Sequence, residues 1–345
     1  MKKSFRINKN EHMNKKTIIL PLILLLALFT ACNRDRDFPD YDYQTVYFAY
    51  QYPVRTITLG EDVSVDNSLD NQHKFQIFAA FGGGYKARND INIGYSIDNT
   101  LLGNGLLFGT GGDILPMPTN YYTAAANSIT IPAGGAAGSV DIQLTDAFFN
   151  DPKSINNTYV IPMKLTSLSG ADSILSGKNF TLYAVKFVNQ WHGNYLRRGS
   201  DAMTGDVTKT VIRHAQYVES DEVKKLSTQS LTELTLPVVF QDNNNNNFAC
   251  TLLLKFDNSG NCTISSATSG FTATGSGSFI KRGEKNSWGN KDRDALYLTY
   301  QVNYNGITVG TGANARQING NISTKDTLVM RDRAVKAEWF TPINK

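Results

Sequence analysis

Along most of the chain, apolar and polar residues alternate in short runs that end at clusters of Gly, Pro, Asn and Asp. Period-two alternation marks half-buried strands, and those breakers supply turn chemistry. In the first half the pattern predicts an opening strand in "TVYFAYQYPVRTITLG" (45–60). Further strands follow at "HKFQIFAAF" (73–81), "INIGYSID" (91–98), "SITIP" (128–132), "GSVDIQL" (138–144), "TYVIPMKLTSL" (158–168) and "FTLYAVKF" (180–187). About seven short strands over residues 43–187 suit an immunoglobulin-like β-sandwich. Within "SITIPAGGAAGSVDIQLTD", Ile129 and Ile131 share one face, and Val140, Ile142 and Leu144 share another after a Gly-rich turn. That spacing predicts a hairpin with one buried face.

From Asn189 onward the strands predicted are 234–240, 248–257, 262–267, 271–283, 295–304 and 326–334. Consecutive antiparallel strands of this kind suit an up-and-down barrel or a sandwich over 189–345. One helical piece is predicted, with Ser220 capping "DEVKKL" and Asp221 and Glu222 in its first turn. No Pro-rich or Ser-rich linker separates the halves, so the two domains are expected to touch. The fold class expected is all-β.

One stretch breaks the alternation. Met13-Asn14-Lys15-Lys16 precedes the continuous apolar run "TIILPLILLLALFTA" (17–31) and then Cys32. A basic start, an apolar middle and a small residue before the cut make an export signal over 1–31, with Met13 as an alternative start. The run falls short of the roughly 20 residues needed to span a bilayer. Phe29-Thr30-Ala31-Cys32 resembles a bacterial lipobox, in which Cys32 becomes the lipid-bearing N-terminus. Residues 32–42 then form a tether whose Asn33-Arg34-Asp35-Arg36-Asp37 resembles a surface-export tag. The expected location is the outer membrane, on the cell surface, through a lipid anchor.

The signal also changes the charge. The whole chain carries +4, but residues 1–31 hold +5 of it and the remainder is −1. A near-neutral body has no electrostatic footprint for nucleic acid.

Few residues suggest chemistry. His73, His192 and His214 lack the spacing of a zinc pair. "FGGG" (81–84) precedes no helix and is no phosphate loop. "DNNNNN" (242–247) reads as a hairpin tip. Cys250 and Cys262 fall out of register across a turn near 257–260 and are expected to be reduced. The acids Asp66, Asp70, Asp292 and Asp294 could supply a glycosidase pair, although turns and ion pairs use such residues far more often. No catalytic set, metal site or cofactor is expected.

Aromatic residues are the better lead. Trp191 and Trp339 read as structural, at strand edges of the second half. Trp288 lies in the polar connection "RGEKNSWGNKDRD", where Asn286, Asn290 and Asp292 could anchor a sugar stacked on the indole. The alternative is a tryptophan that tucks a long loop onto the barrel.

Several strings resemble a known family. "YPVRTITLGED", "SLDNQHKFQIFAAFGGGY", "LPMPTNYYT", "ITIPAGGAAGSVDIQLTDAFFNDP" and "YVIPMKLTS" resemble the domain of unknown function 1735 of Bacteroidetes surface lipoproteins, over about 40–185. "WHGNYLRRG", "GSGSFIKRG" and "VMRDRAVKAEWF" resemble the domain of unknown function 5627. The resemblance implies an immunoglobulin-like first domain and a setting of polysaccharide capture beside outer-membrane transporters. Trp191-His192-Gly193-Asn194-Tyr195 and the late Arg331 and Arg333 also resemble, in architecture, the closure of a lipocalin- or calycin-like barrel. The leading expectation is non-catalytic binding of a polysaccharide or oligosaccharide, with an outer-membrane transporter complex as a further partner. The alternatives are an adhesion or assembly module that contacts another envelope protein, and a glycoside hydrolase with an unrecognised site.

Overall fold

The alternation of the first half resolves into two facing sheets. The computed structural model describes residues 41–345, so the signal segment 1–31 and Cys32 lie outside the described residues. One sheet has five strands in the order Ser173–Ile174, Thr45–Tyr47, Lys74–Gly82, Ala137–Leu144 and Tyr122–Ala124. The other is built on Pro53–Thr58, Phe180–Val188, Tyr159–Ser169 and Ile91–Ile97. Successive side chains on a strand point to opposite faces. Phe75, Ile77, Val140 and Ile142 from the first sheet therefore meet Ile93, Ile161, Val185 and Phe187 from the second in a single core. Each such side chain contributes ~1.5–3 kcal/mol by leaving water.

Three local expectations are corrected. The opening run is two strands, Thr45–Tyr47 and Pro53–Thr58, and they belong to different sheets. The segment 128–144 is not a hairpin. Ser128–Ile131 pairs with Ile91–Ile97 (Ile91 opposite Ile131), while Ala137–Leu144 pairs with Lys74–Gly82 (Ile77 opposite Val140). The chain crosses from one sheet to the other, and the two apolar faces meet across the core instead of lying side by side. A Cβ at Gly138 would sit 2.1 Å from the Thr130 carbonyl oxygen, so glycine permits this close crossing. The expected helix at 221–226 is a strand, Glu222–Thr228, after a short 3-10 turn at Val218–Ser220. Ser220 caps no α-helix, and Asp221 stands in no helical first turn. The Asp221 carboxylate accepts from Arg198 Nε (2.6 Å) and from the Ala215 N–H (2.9 Å), and Leu226 and Thr228 alternate inward. Ladder pairing with Gly193–Gly205 overrides the local helical preference.

The second half is a closed antiparallel barrel. Its sheet has nine strands, and Gly193–Gly205 bonds along its length to Arg316–Asp332, which closes the ring. Lys209–Arg213 stands beside Gly193–Gly205 at one end. The "DNNNNN" tract is the expected hairpin tip: the Asp242 carboxylate accepts from the N–H groups of Asn244 and Asn246, both at 2.8 Å. Cys250 and Cys262 are buried free thiols, and Cys262 lies opposite Phe256. Burial, then the Asp257 carboxylate, pushes the Cys262 thiol up to about 12. Trp191 stacks on Phe256 with ring centroids 4.0 Å apart, the structural role expected of it.

Most of the barrel interior is apolar, but one part carries charge. Asp326 accepts from Arg197 Nε (2.9 Å), Arg213 Nη2 (2.6 Å) and the Tyr300 hydroxyl (2.9 Å). Asp201 accepts from Arg213 Nη1 and from the Thr324 hydroxyl (2.7 Å). The buried Arg197, of which only 1% is exposed, and the partly buried Arg213 thus face two buried aspartates. Burial, and then the Asp326 carboxylate, holds the Tyr300 hydroxyl well above the usual tyrosine range, so it remains a donor.

Arg333 ties this barrel to the sandwich. Its guanidinium donates to the carbonyls of His192 (2.9 Å) and Asn189 (2.7 Å) at the barrel entry, and to those of Leu59 (2.8 Å) and Glu61 (3.1 Å) from the first half. The chain then returns to the sandwich. Glu338–Trp339 pairs with Pro53–Thr58, and Pro342–Asn344 pairs with Leu106–Phe108.

Candidate functional site

The loop singled out by the sequence is built as an anchor. Trp288 is half-buried, and the Arg293 guanidinium carbon lies 4.4 Å from its ring centroid. Arg293 Nε also donates to the Trp288 carbonyl oxygen (3.0 Å). One face of the indole is therefore held by a cation within the loop. Asp292 accepts from the Asn286 N–H (3.0 Å) and from Lys285 Nζ (2.9 Å), which staples the loop across its base. Asn286 and Asn290 are exposed and take left-handed backbone angles, φ 46° and 56°. These four residues do share one loop, and the contacts among them and with Arg293 and Lys285 hold its shape.

The other acids are similarly engaged. Asp70 is buried between Arg55 and the Thr58 N–H (2.9 Å), and Asp66 accepts from the Ser68 N–H (3.0 Å). Asp294 accepts from the Arg282 N–H (2.8 Å).

A different pair of aromatics faces solvent. Trp339 does not serve the second half as a structural edge. It sits on the returning tail, opposite Pro53 of the sandwich, with 58% of its surface exposed. Tyr50 stands beside it, 59% exposed, with ring centroids 5.8 Å apart and planes inclined at 49°. The support beneath is rigid. The Phe340 N–H donates to the Tyr52 carbonyl oxygen (3.0 Å), and the Phe340 ring packs on Phe108 (4.8 Å) and Tyr52 (5.6 Å). The Leu182 N–H donates to the Gln51 carbonyl oxygen (2.7 Å), which fixes the turn that carries Tyr50. Two rings standing open to water beside these packed, partly buried neighbours offer an apolar, π-rich surface. The clue available in the sequence was "EWF": on an extended tail, if Phe340 is buried, Trp339 must point the other way.

The protein thus belongs to the class of two-part all-β proteins, a sandwich followed by a closed antiparallel barrel. A Bacteroides ovatus protein of unknown function is 44% identical, with a TM-score of 0.79, over 88% of this chain and 100% of that one. The chain belongs to the same family as that protein. Residues 190–334 match the model of the domain of unknown function 5627, and residues 41–172 match a model described as an N-terminal domain. Two further structures are similar at 12% identity. One is a Bacteroides ovatus multidomain protein including the domain of unknown function 1735 (TM-score 0.41; 86% of this chain, 100% of that one). The other is a Bacteroides thetaiotaomicron protein described as an auxiliary nutrient binding protein (TM-score 0.37; 83% and 95%). At that distance neither carries an argument for this chain. No curated protein matches it.

Proposed function

We propose that this is a cell-surface lipoprotein that binds glycan chains without transforming them, and that Tyr50 and Trp339 form its sugar-stacking surface. The observation that carries the reading is the exposed, inclined ring pair on a rigid strand edge. The C–H-rich face of a pyranose packs on an aromatic ring, and each stacked ring contributes area burial beyond what polar groups supply. The anchor at Cys32, within the signal grammar of residues 13–32, would display this surface outside the cell.

Affinity electrophoresis through gels holding xylan, pectin, mannan or starch tests the reading. At least one gel should retard the wild-type chain. Trp339→Ala should weaken that retention about tenfold, equivalent to ~1.4 kcal/mol, while Trp288→Ala should leave it unchanged. Retention that survives in Trp339→Ala but is lost in Trp288→Ala would move the site to the loop. The anchor is tested separately in cells: Cys32→Ser should abolish labelling by a radioactive fatty acid, and persistent labelling would count against it.

A further inference from the structure

A cavity of about 330 Å³ lies where the sandwich meets the barrel, lined among others by Thr56, Lys186, His192, Lys225, Thr228 and Glu338. His192 is only 7% exposed. Its Nδ1 accepts from the Thr228 N–H (3.2 Å) and lies 3.3 Å from the Thr228 hydroxyl. A ring whose Nδ1 accepts must carry its proton on Nε2 when neutral. That Nε2–H has no protein acceptor among the described residues. Lys186 is paired with Glu338 (2.7 Å), but Lys225 has no acidic partner among the described residues. The walls therefore present a fixed neutral donor and an excess of one positive charge. The hydroxyls of Thr56 and Thr228 and the amides of Asn156 and Gln229 surround them.

We infer that this cavity is a binding site for a small hydroxylated carboxylate of the sugar-acid class, with the carboxylate held by Lys225 and His192 Nε2. The Nε2–H faces the cavity with no protein acceptor among the described residues, and a carboxylate entering there replaces water with a charge-assisted hydrogen bond. The volume lies at the low end for small-molecule sites and suits a single sugar unit. The site stands on this cavity and not on the aromatic pair. Glu338 lines the cavity, and Trp339, the next residue on an extended strand, points to the opposite face.

The test follows the imidazole nitrogens of His192 by long-range ¹⁵N–¹H NMR in the full chain, titrated separately with D-glucuronate, D-glucose and inorganic phosphate. Glucuronate should shift the His192 signals saturably, and glucose should not. Lys225→Ala, at an exposed position that leaves the circular dichroism spectrum intact, should raise the glucuronate dissociation constant about tenfold. An equal response to glucose overturns the carboxylate assignment. An equal response to phosphate overturns the sugar-acid class. No shift with any of the three overturns the site. Because the readout is His192 and not gel retention, its failure is distinguishable from failure of the aromatic surface.

Discussion

Asp326→Ala is expected to destabilise the protein by about 3–5 kcal/mol, read as a fall in the chemical-denaturation midpoint with little change in slope. The side chain accepts from Arg197, Arg213 and Tyr300 at once, and all of it is buried. Its removal leaves Arg197 with only the rim acid Glu222 at 3.4 Å, and leaves Arg213 with Asp201 alone. An unpaired buried charge costs far more than the intact pair contributes, which is why truncating one partner is severe. Asp326→Asn should fall between, since it retains acceptor and donor atoms but not the charge. The effect should persist at 1 M salt, where the screening length is about 3 Å, because ions reach surface pairs and not this interior. A loss below about 1 kcal/mol, the range of exposed pairs, would show that water reaches the network and that the ring is open there.

That network illustrates what could be read from the sequence. In "GNYLRRGSDAMTG", period two puts Arg197 and Asp201 on the same face as Tyr195 and Met203, so two charges share the buried side of a strand. The pattern was present, but charges are normally assigned outward, and only the pairing with Arg316–Asp332 brings Thr324 opposite Asp201 and Asp326 opposite Gly199, between the two charges. Strand positions at 73–81, 138–144 and 248–257 were legible because packing decides alternation locally. Which edges bond was not: Ile129, Ile131, Val140 and Ile142 show the same alternation whether their strands pair in one sheet or face each other across two. The tip at 242–247 could be read because Asp and Asn carry their own turn chemistry. Trp339 was misplaced because the tail's return to Pro53 is a contact nearly three hundred residues distant in sequence. Trp288 stands out by its polar surroundings, of which Asp292, Lys285 and Arg293 are engaged within the loop while Asn286 and Asn290 stay exposed.

His192 should make the fold lose stability on mild acidification. Burial, then the charges of Lys225, Arg333 and Lys186, pushes its imidazole down from 6.5 to about 3. Above pH 6.5 the ring is neutral in both the folded and unfolded chains, so its full contribution is present. Between 6.5 and about 3 the unfolded chain binds a proton that the folded chain refuses, and stability falls by ~1.4 kcal/mol per pH unit. Below about 3 both forms are charged and the slope ends. Glu338, the acid lining this cavity, pairs with Lys186 and offsets that cation, but leaves Lys225 and Arg333 unopposed by it. Carboxylates act lower on the scale. Asp242, where burial acts upward but hydrogen bonds from Asn246 and Arg316 prevail, is held below its usual range and loses its contribution only below 3.8. Asp70, raised by burial, gives a slope of opposite sign just above 3.8. The span from pH 6.5 to about 4.5 therefore isolates His192 from Asp242, and subtraction removes the rest. His192→Asn keeps an acceptor for the Thr228 N–H and has no proton to gain. Urea midpoints for the two proteins should converge as pH falls through this span, the wild type losing about 1.4 kcal/mol per unit more than the variant. Parallel curves would mean that the folded chain admits the proton, and that the ring is wetter than its burial and its contacts with Thr228 imply.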